Sequence, residues 1–165
     1  KRLGETLLLM GAKVTGIATT EKILENKIQI YKLDKLETLA KDHNLIVGLL
    51  PYNSNLEKVF NYKIFDNMPF NSYFINNGRS SHVNENDLCI ALDKNLSAAA
   101  LDVFAYCNQG PSKDLYEKEN LLITPHVGAV DPSYWSKQRL LFEFNLKCFL
   151  NNKLDKMKNI CNKVT

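Results

Sequence analysis

An arginine, an aspartate and a histidine each lie at the end of an apolar run of this sequence, and their side chains could act on a ligand together. Arg79 follows Gly78 and carries a planar fork of N–H donors, which grips a carboxylate through two hydrogen bonds. His126 precedes Val127-Gly128, and histidine is the residue type that most often serves as a proton donor or acceptor in enzymes. Asp102 lies among apolar neighbours, where a carboxylate needs a hydrogen-bond partner. The alternative is that Arg79 and His126 are ordinary solvated loop residues.

Apolar runs and helical spacing alternate along the chain and position these residues. Helical spacing is found at 3–10 (ended by Gly11 as a cap), 35–43, 56–68, 84–95 and 132–150, with Pro132 in the first turn of the last helix. Runs typical of strands occupy 13–17, 45–50, 72–77, 98–104 and 121–124, and those at 45–50 and 121–124 read as buried strands. This alternation predicts an α/β fold with a doubly wound parallel sheet covered on both faces.

Ligands of such sheets bind beyond the carboxyl ends of the strands. Leu50-Pro51, Gly78-Arg79, Asp102 and His126 are therefore the candidate site residues, although Pro51 could simply end its strand. Gly78 permits a sharp turn before Arg79. His43 and His82 lie in other contexts, and we assign them no role in the site.

Composition excludes several classes of protein. The 165 residues suit one domain, and 45% apolar with 24% charged residues exclude a disordered chain. The net charge of +3 comes from interspersed Lys, Arg, Asp and Glu, which gives no nucleic-acid footprint. No apolar run approaches the roughly 20 residues that span a membrane, so we expect a cytoplasmic protein. The four cysteines are far apart, which predicts reduced thiols and no metal site.

Four segments in order resemble the D-isomer-specific 2-hydroxyacid dehydrogenases. They are Leu49-Leu50-Pro51, then the stretch from Asn77-Gly78-Arg79-Ser80-Ser81-His82-Val83 through Asp93, then Leu101-Asp102-Val103-Phe104, and finally Thr124-Pro125-His126. The second stretch is most similar to the glyoxylate/hydroxypyruvate reductase A branch. The resemblance covers residue 1 to about 150 and implies a Rossmann-like dinucleotide-binding domain, incomplete at its N-terminus, over 1–150, with a C-terminal tail at 151–165.

The resemblance also implies an activity and roles for individual residues. The family transfers hydride between NADH or NADPH and a small 2-keto or 2-hydroxy acid such as glyoxylate or hydroxypyruvate. By position, Arg79 matches the residue that holds the substrate, and His126 matches the general acid. Asp102 matches the residue that contacts the nicotinamide carboxamide. Leu50, Pro51, Gly78 and Gly128 match the lining of the cofactor crevice.

Two departures from the family pattern bear on activity. Cys107 stands where the family has the Glu that supports its histidine, and a thiol with a pKa of about 8.5 is mostly neutral at pH 7. The family's G-x-G-x-x-G phosphate turn precedes the helix that matches 3–10, and Lys1 falls directly after that position. We therefore expect weak cofactor binding, an apolar sheet edge beside 13–17 and 45–50, and no readable choice between NAD and NADP.

Two functions stay open at this stage. One is a reductase of 2-keto acids with weak or no activity from these residues alone. The alternative is a catalytically lapsed family member that acts as a binding or interaction module. The family also suggests a homodimer, formed through an apolar helix that includes Trp135, Phe142 and Phe149, although these side chains could equally belong to a core.

Overall fold

The computed structural model describes residues 2–25, 27–105, 112–128 and 130–160. Its strands are β1 (Thr15–Ile17), β2 (Lys22–Ile23), β3 (Gln29–Tyr31), β4 (Leu45–Gly48), β5 (Ser72–Asn76), β6 (Leu96–Leu101) and β7 (Leu121–Ile123). Its α-helices are α1 (Arg2–Leu9), α2 (Leu36–Ala40), α3 (Tyr62–Asn67), α4 (Glu85–Lys94), α5 (Lys113–Tyr116) and α6 (Tyr134–Leu150). The chain separates into two compact units, Lys1–His126 and Val127–Thr165.

The first unit holds two sheets. Strands β4, β5, β6 and β7 form an all-parallel sheet in that order, whereas β1, β3 and β2 form a smaller mixed sheet in which β3 is central. The predicted α/β class with a parallel, Rossmann-like sheet is confirmed. The strands β2 and β3 were missed because two- and three-residue strands carry too little alternation to be recognised.

One face of the four-stranded sheet packs against α2, α3 and α4. Phe74 on β5 is fully buried, and its ring lies edge-on to Phe60 and Phe65 with centroids 5.1 and 5.0 Å away. The helix predicted over 84–95 is confirmed as α4, and its Leu88, Ala91 and Leu92 are all buried in the same cluster. This core fixes the strands whose ends carry the candidate site.

The prediction that β4 and β7 are buried strands is wrong. Leu45 is 37% exposed and Leu122 is 63% exposed. Both side chains line an apolar groove on the sheet face that also bears Tyr73, Ile75, Ala98 and Ala100. In addition, β4 is an edge strand, because β5 is its one neighbour in the described part of the chain.

Two predicted boundaries are wrong for local reasons. The helix expected over 56–68 begins only at Tyr62, because residues 58–60 hydrogen-bond to residues 81–84 instead of forming a helical turn. The side chain of Asn61 caps the start of this helix by accepting the N–H of Lys63. The strand expected over 98–104 runs over Leu96–Leu101. By contrast, Gly11 caps α1 as predicted, with a φ of 85° and the N–H of Ala12 donating to the Leu7 carbonyl, a Schellman arrangement.

The second unit is built on α6. Asp131 accepts from the Ser133 backbone N–H at 2.9 Å and from the Lys137 ammonium at 2.8 Å, so Pro132 precedes the helix rather than lying in its first turn. These hydrogen bonds lower the pKa of the Asp131 carboxyl to about 2, and the bond from Lys137 has the largest effect. Trp135, Phe142 and Phe149 are 79%, 65% and 59% exposed.

Residues 151–160 of this unit are held against α6. The side chain of Asn145 accepts the N–H of Lys158 and donates to its carbonyl, both at 2.9 Å. The Lys158 ammonium also lies 4.7 Å from the Phe144 ring centroid. The part of the predicted C-terminal tail that the structure describes is therefore in contact with α6.

Candidate functional site

The ends of the four parallel strands are level with one another. Gly48, Asn76, Leu101 and Ile123 are register partners across β4 to β7. Directly beyond this row, three backbone hydrogen bonds of 3.0 Å join neighbouring strands. The N–H of Asn77 donates to the Gly48 carbonyl, the N–H of Asp102 donates to the Asn76 carbonyl, and the N–H of Thr124 donates to the Leu101 carbonyl. The residues that follow each strand therefore emerge at one edge of the sheet.

Arg79, Asp102 and His126 emerge at this edge. Arg79 lies three residues beyond the end of β5, Asp102 one beyond β6 and His126 three beyond β7. Because neighbouring strands lie about 4.8 Å apart, β5 and β7 are separated by roughly 10 Å. The strand ends that precede Arg79 and His126 are therefore two strand spacings apart.

Arg79 lies in a turn over residues 76–79, the arginine turn, which hydrogen bonds between its own residues stabilise. The buried Asn76 side chain accepts the N–H of Gly78 at 3.1 Å and donates to the Arg79 carbonyl at 3.0 Å. The guanidinium is exposed, and its Nη1 donates to the Gly78 carbonyl at 2.7 Å. A guanidinium has five N–H donors, so this bond leaves a fork for an anion.

Leu50 and Gly78 approach each other closely. A Cβ atom placed on Gly78 would lie 3.0 Å from the carbonyl oxygen of Leu50 and 3.2 Å from its nitrogen. The backbone of Gly78 is not in the left-handed region, since among the described glycines only Gly11 has a positive φ. Glycine is therefore needed here for close approach, rather than for the sharp turn inferred from the sequence. Pro51 follows as an exposed residue.

Asp102 is 7% exposed, and the hydroxyl of Thr124 donates to its Oδ1 at 2.6 Å. The expectation that this buried acid is hydrogen-bonded is confirmed. The bond ties the first residue beyond β6 to the first residue beyond β7. It therefore fixes the base of the segment that carries His126.

His126 has an exposed side chain and a backbone in the left-handed region, with a φ of 57°. Its N–H donates to the Thr124 carbonyl at 3.0 Å, which closes a tight turn over Pro125. This conformation is uncommon for a residue with a side chain, and such outliers concentrate at functional sites.

His82 lies in the core directly behind the arginine turn. It is fully buried, and neither ring nitrogen has a hydrogen-bond partner in the described part of the chain. Burial lowers the pKa of its imidazole, and the positive charge of Arg79 lowers it further. His43 is engaged elsewhere, with its ring between the Thr15 hydroxyl and the Leu39 carbonyl.

The remaining predicted residues are placed less completely. Cys107 lies outside the described residues, as does the loop that holds Gly110 and Pro111. Gly128 belongs to the second unit and is exposed. Within the described ranges, no group of three His, Cys, Asp or Glu side chains could hold a metal ion. None of the described helices is both long and apolar enough to cross a bilayer.

Sequence reasoning missed three residues that organise this edge. Asn76 and Thr124 were recognised only as members of motifs, and their hydrogen bonds to the Arg79 turn and to Asp102 were not predicted. Glu85 at the start of α4 was likewise recognised only within a motif, and its Oε1 accepts the N–H of Ala105 at 2.6 Å. A polar residue directly beside a buried strand end is the signal that could have indicated Asn76 and Thr124.

The chain is similar to known dehydrogenases in sequence and in structure. Residues 1–128 match the model of the D-isomer specific 2-hydroxyacid dehydrogenase, NAD binding domain. The glyoxylate/hydroxypyruvate reductase A of Photorhabdus laumondii is 28% identical over 131 residues, which are 79% of this chain and 42% of that protein. The crystal structure of a D-isomer specific 2-hydroxyacid dehydrogenase family protein from Klebsiella pneumoniae has a TM-score of 0.84 and 25% identity, covering 99% of this chain and 52% of that one.

A second solved structure carries a cofactor. It is the NADPH-dependent glyoxylate/hydroxypyruvate reductase of Sinorhizobium meliloti in complex with NADP and sulfate, with a TM-score of 0.83, 27% identity and coverage of 99% of this chain and 52% of that one. The chain thus spans less than half the length of the curated relative described above. Because the family model covers most of its residues, the chain belongs to the D-isomer specific 2-hydroxyacid dehydrogenases.

Proposed function

We propose that this chain carries the catalytic edge of a reductase that transfers hydride from NADH or NADPH to a small 2-keto acid such as glyoxylate or hydroxypyruvate. The observation that carries the proposal is the emergence of Arg79, Asp102 and His126 beyond one level row of parallel strand ends. The similarity to two glyoxylate/hydroxypyruvate reductases supports this substrate class.

Arg79 and His126 divide the chemistry between them. The guanidinium pairs with the substrate carboxylate and lies against the keto oxygen, where negative charge develops during reduction. His126 donates its ring proton to that oxygen, so that the product leaves as a 2-hydroxy acid. The cofactor, when bound, supplies the hydride. The exposed His126 ring then takes up a proton from water for the next turnover.

The residues fit the nicotinamide end of the cofactor better than its phosphates. Leu50 and Gly78 bring two backbone segments into close approach at the strand ends, and Asp102 offers a carboxylate for an amide N–H. No G-x-G-x-x-G occurs among residues 1–165. We therefore propose weak cofactor binding and slow turnover by these residues alone.

Cys107 favours a second candidate function. Without the family Glu, the imidazolium of His126 loses a negatively charged partner that would favour its protonated form. A family member that no longer catalyses but still binds a cofactor or a partner is consistent with this substitution. Such a lapsed member would keep the fold and lose the proton donor.

NADH and NADPH oxidation with glyoxylate and with hydroxypyruvate distinguishes the two functions. We expect slow oxidation by the natural protein and faster oxidation by the Cys107→Glu variant. The matched control is Cys89→Glu, which adds the same charge at a half-buried cysteine of α4. Activity only in Cys107→Glu would identify a lapsed enzyme. No activity and no cofactor binding in any of the proteins would refute the reductase.

We propose a cytoplasmic location and a homodimer as further parts of this account. The exposed Trp135, Phe142 and Phe149 of α6 support self-association, since large exposed aromatic side chains often mark an interface. Neither nucleic acid nor a membrane is proposed as a partner. Analytical ultracentrifugation gives the oligomeric state, and a monomer at micromolar concentration would contradict the dimer.

A further inference from the structure

We propose that Asn76 is the positioning residue for Arg79: its side-chain amide sets where the guanidinium meets the carboxylate of a substrate. The inference rests on the function proposed above and deepens it. Asn76 is the last residue of β5 and is fully buried, so its side chain does not touch solvent or substrate. It acts on a ligand only through the turn that follows it.

Both ends of the Asn76 amide are engaged by that turn. Its Oδ1 accepts the N–H of Gly78 at 3.1 Å, and its Nδ2 donates to the carbonyl of Arg79 at 3.0 Å. One planar group therefore fixes a peptide group on each side of the Gly78–Arg79 bond. No other amino acid of similar size offers an acceptor and a donor in this arrangement.

The neighbouring strand leaves room for this amide. Gly48 is the register partner of Asn76 on β4, and a Cβ atom there would lie 2.8 Å from Asn76 Oδ1 and 2.9 Å from Cε2 of Phe60. The space beside Gly48 is thus taken by the Asn76 amide oxygen and by the buried ring of Phe60, and a side chain at Gly48 would displace at least one of them.

The far side of the arginine turn is anchored separately. The N–H of Lys58 donates to the Ser81 carbonyl at 2.7 Å, and the N–H of Phe60 donates to the His82 carbonyl at 2.9 Å. Arg79 is therefore held from β5 by Asn76 and from the following residues by the 58–60 segment. Removal of the amide releases one of these two supports and leaves the other in place.

The substitution Asn76→Ala tests the inference, with Asn95→Ala as the matched control. Asn95 is a half-buried residue whose side-chain amide is also hydrogen-bonded to the backbone, since its Nδ2 donates to the carbonyls of Phe65 and Met68 at 2.8 and 3.1 Å. However, it precedes β6 and so lies at the amino end of the sheet. Both variants lose buried hydrogen bonds, and urea unfolding should show a loss of stability in each.

The readout that separates positioning from stability is the binding of oxalate, used as a carboxylate probe and followed by NMR. We expect Asn76→Ala to raise the Kd of oxalate and the KM of glyoxylate, and to lower kcat/KM by roughly 100-fold, the cost of about 1 Å of misplacement. Asn95→Ala should change neither constant. Gly48→Ala, which displaces the amide without changing its chemistry, should reproduce the Asn76→Ala result.

The outcomes separate this inference from the proposed function. Oxalate binding that weakens in Asn76→Ala, in a protein that oxidises no NADPH, would support the positioning role while the reductase fails. Equal constants in Asn76→Ala and Asn95→Ala would overturn the inference whether or not the protein is a reductase. Failure of the wild-type protein to bind oxalate would overturn it as well.

Discussion

Thr124→Val removes the hydroxyl that Asp102 accepts and keeps the shape of the side chain. The lost bond joins a hydroxyl to a carboxylate at 2.6 Å, and the carboxylate belongs to a residue that is 7% exposed. Hydrogen bonds to charged groups contribute about 1.5–3 kcal/mol. Because water has little access to this acid, we expect the free energy of unfolding to fall by about 2 kcal/mol at pH 7.

Urea unfolding of three variants measures this value. Thr124→Ser keeps the hydroxyl and should retain most of the stability. Thr6→Val removes an exposed hydroxyl that donates to the Arg2 carbonyl within α1, and it should change stability by no more than about 0.5 kcal/mol. A Thr124→Val protein as stable as wild type, or a Thr124→Ser protein that loses as much as the valine variant, would refute the assigned bond.

Three other predictions follow from single residues. Burial lowers the pKa of His82, so the unfolded chain binds the proton at a higher pH than the folded protein does. The free energy of unfolding should therefore decline as the pH falls below about 6.5. Urea unfolding at about pH 7.5 and 5.5 should show a smaller decline for His82→Leu than for the wild-type protein. His126→Asn should keep the stability, since Asn accepts a left-handed backbone, and should reduce turnover by about 100-fold or more in an NADPH assay. NMR titration of the Asp131 carboxyl should give a pKa of about 2, and Lys137→Met should raise this pKa towards 3.8. Because the pKa is lower in the folded protein than in the unfolded chain, the stability that the ionised carboxyl contributes is lost as the pH falls from about 4 to 2.

Much of the fold could be predicted because its signals are local. The apolar run at 45–50, the stripe of Leu88, Ala91 and Leu92, and the Gly11 cap each depend on a few adjacent residues. The exposed groove at Leu45 and Leu122 could not be predicted, because the sequence does not say which apolar face lacks a covering element. The delayed start of α3 depends on hydrogen bonds between residues more than 20 positions apart.

The candidate site was predicted at the level of residue types but not of contacts. The order of the strand ends indicated Arg79, Asp102 and His126, since parallel strands bring these ends to one edge. The hydrogen bonds of the Asn76 amide and the left-handed backbone of His126 depend on three-dimensional packing, so the sequence alone did not predict them. The roles assigned to Leu50, Pro51, Gly78, Cys107 and Gly128 remain predictions.

We propose that Arg79 binds the carboxylate of a 2-keto acid while NADH or NADPH reduces its keto group, and glyoxylate-dependent NADPH oxidation by Arg79→Lys tests this proposal most directly. The matched control is Arg139→Lys, an exposed arginine on α6 that pairs with Glu143 at 3.5 Å. We predict a raised KM for glyoxylate in Arg79→Lys, because lysine cannot pair with a carboxylate through two N–H bonds, and an unchanged KM in Arg139→Lys. Equal kinetics in the two variants, or no glyoxylate-dependent oxidation by the wild-type protein, would contradict the account.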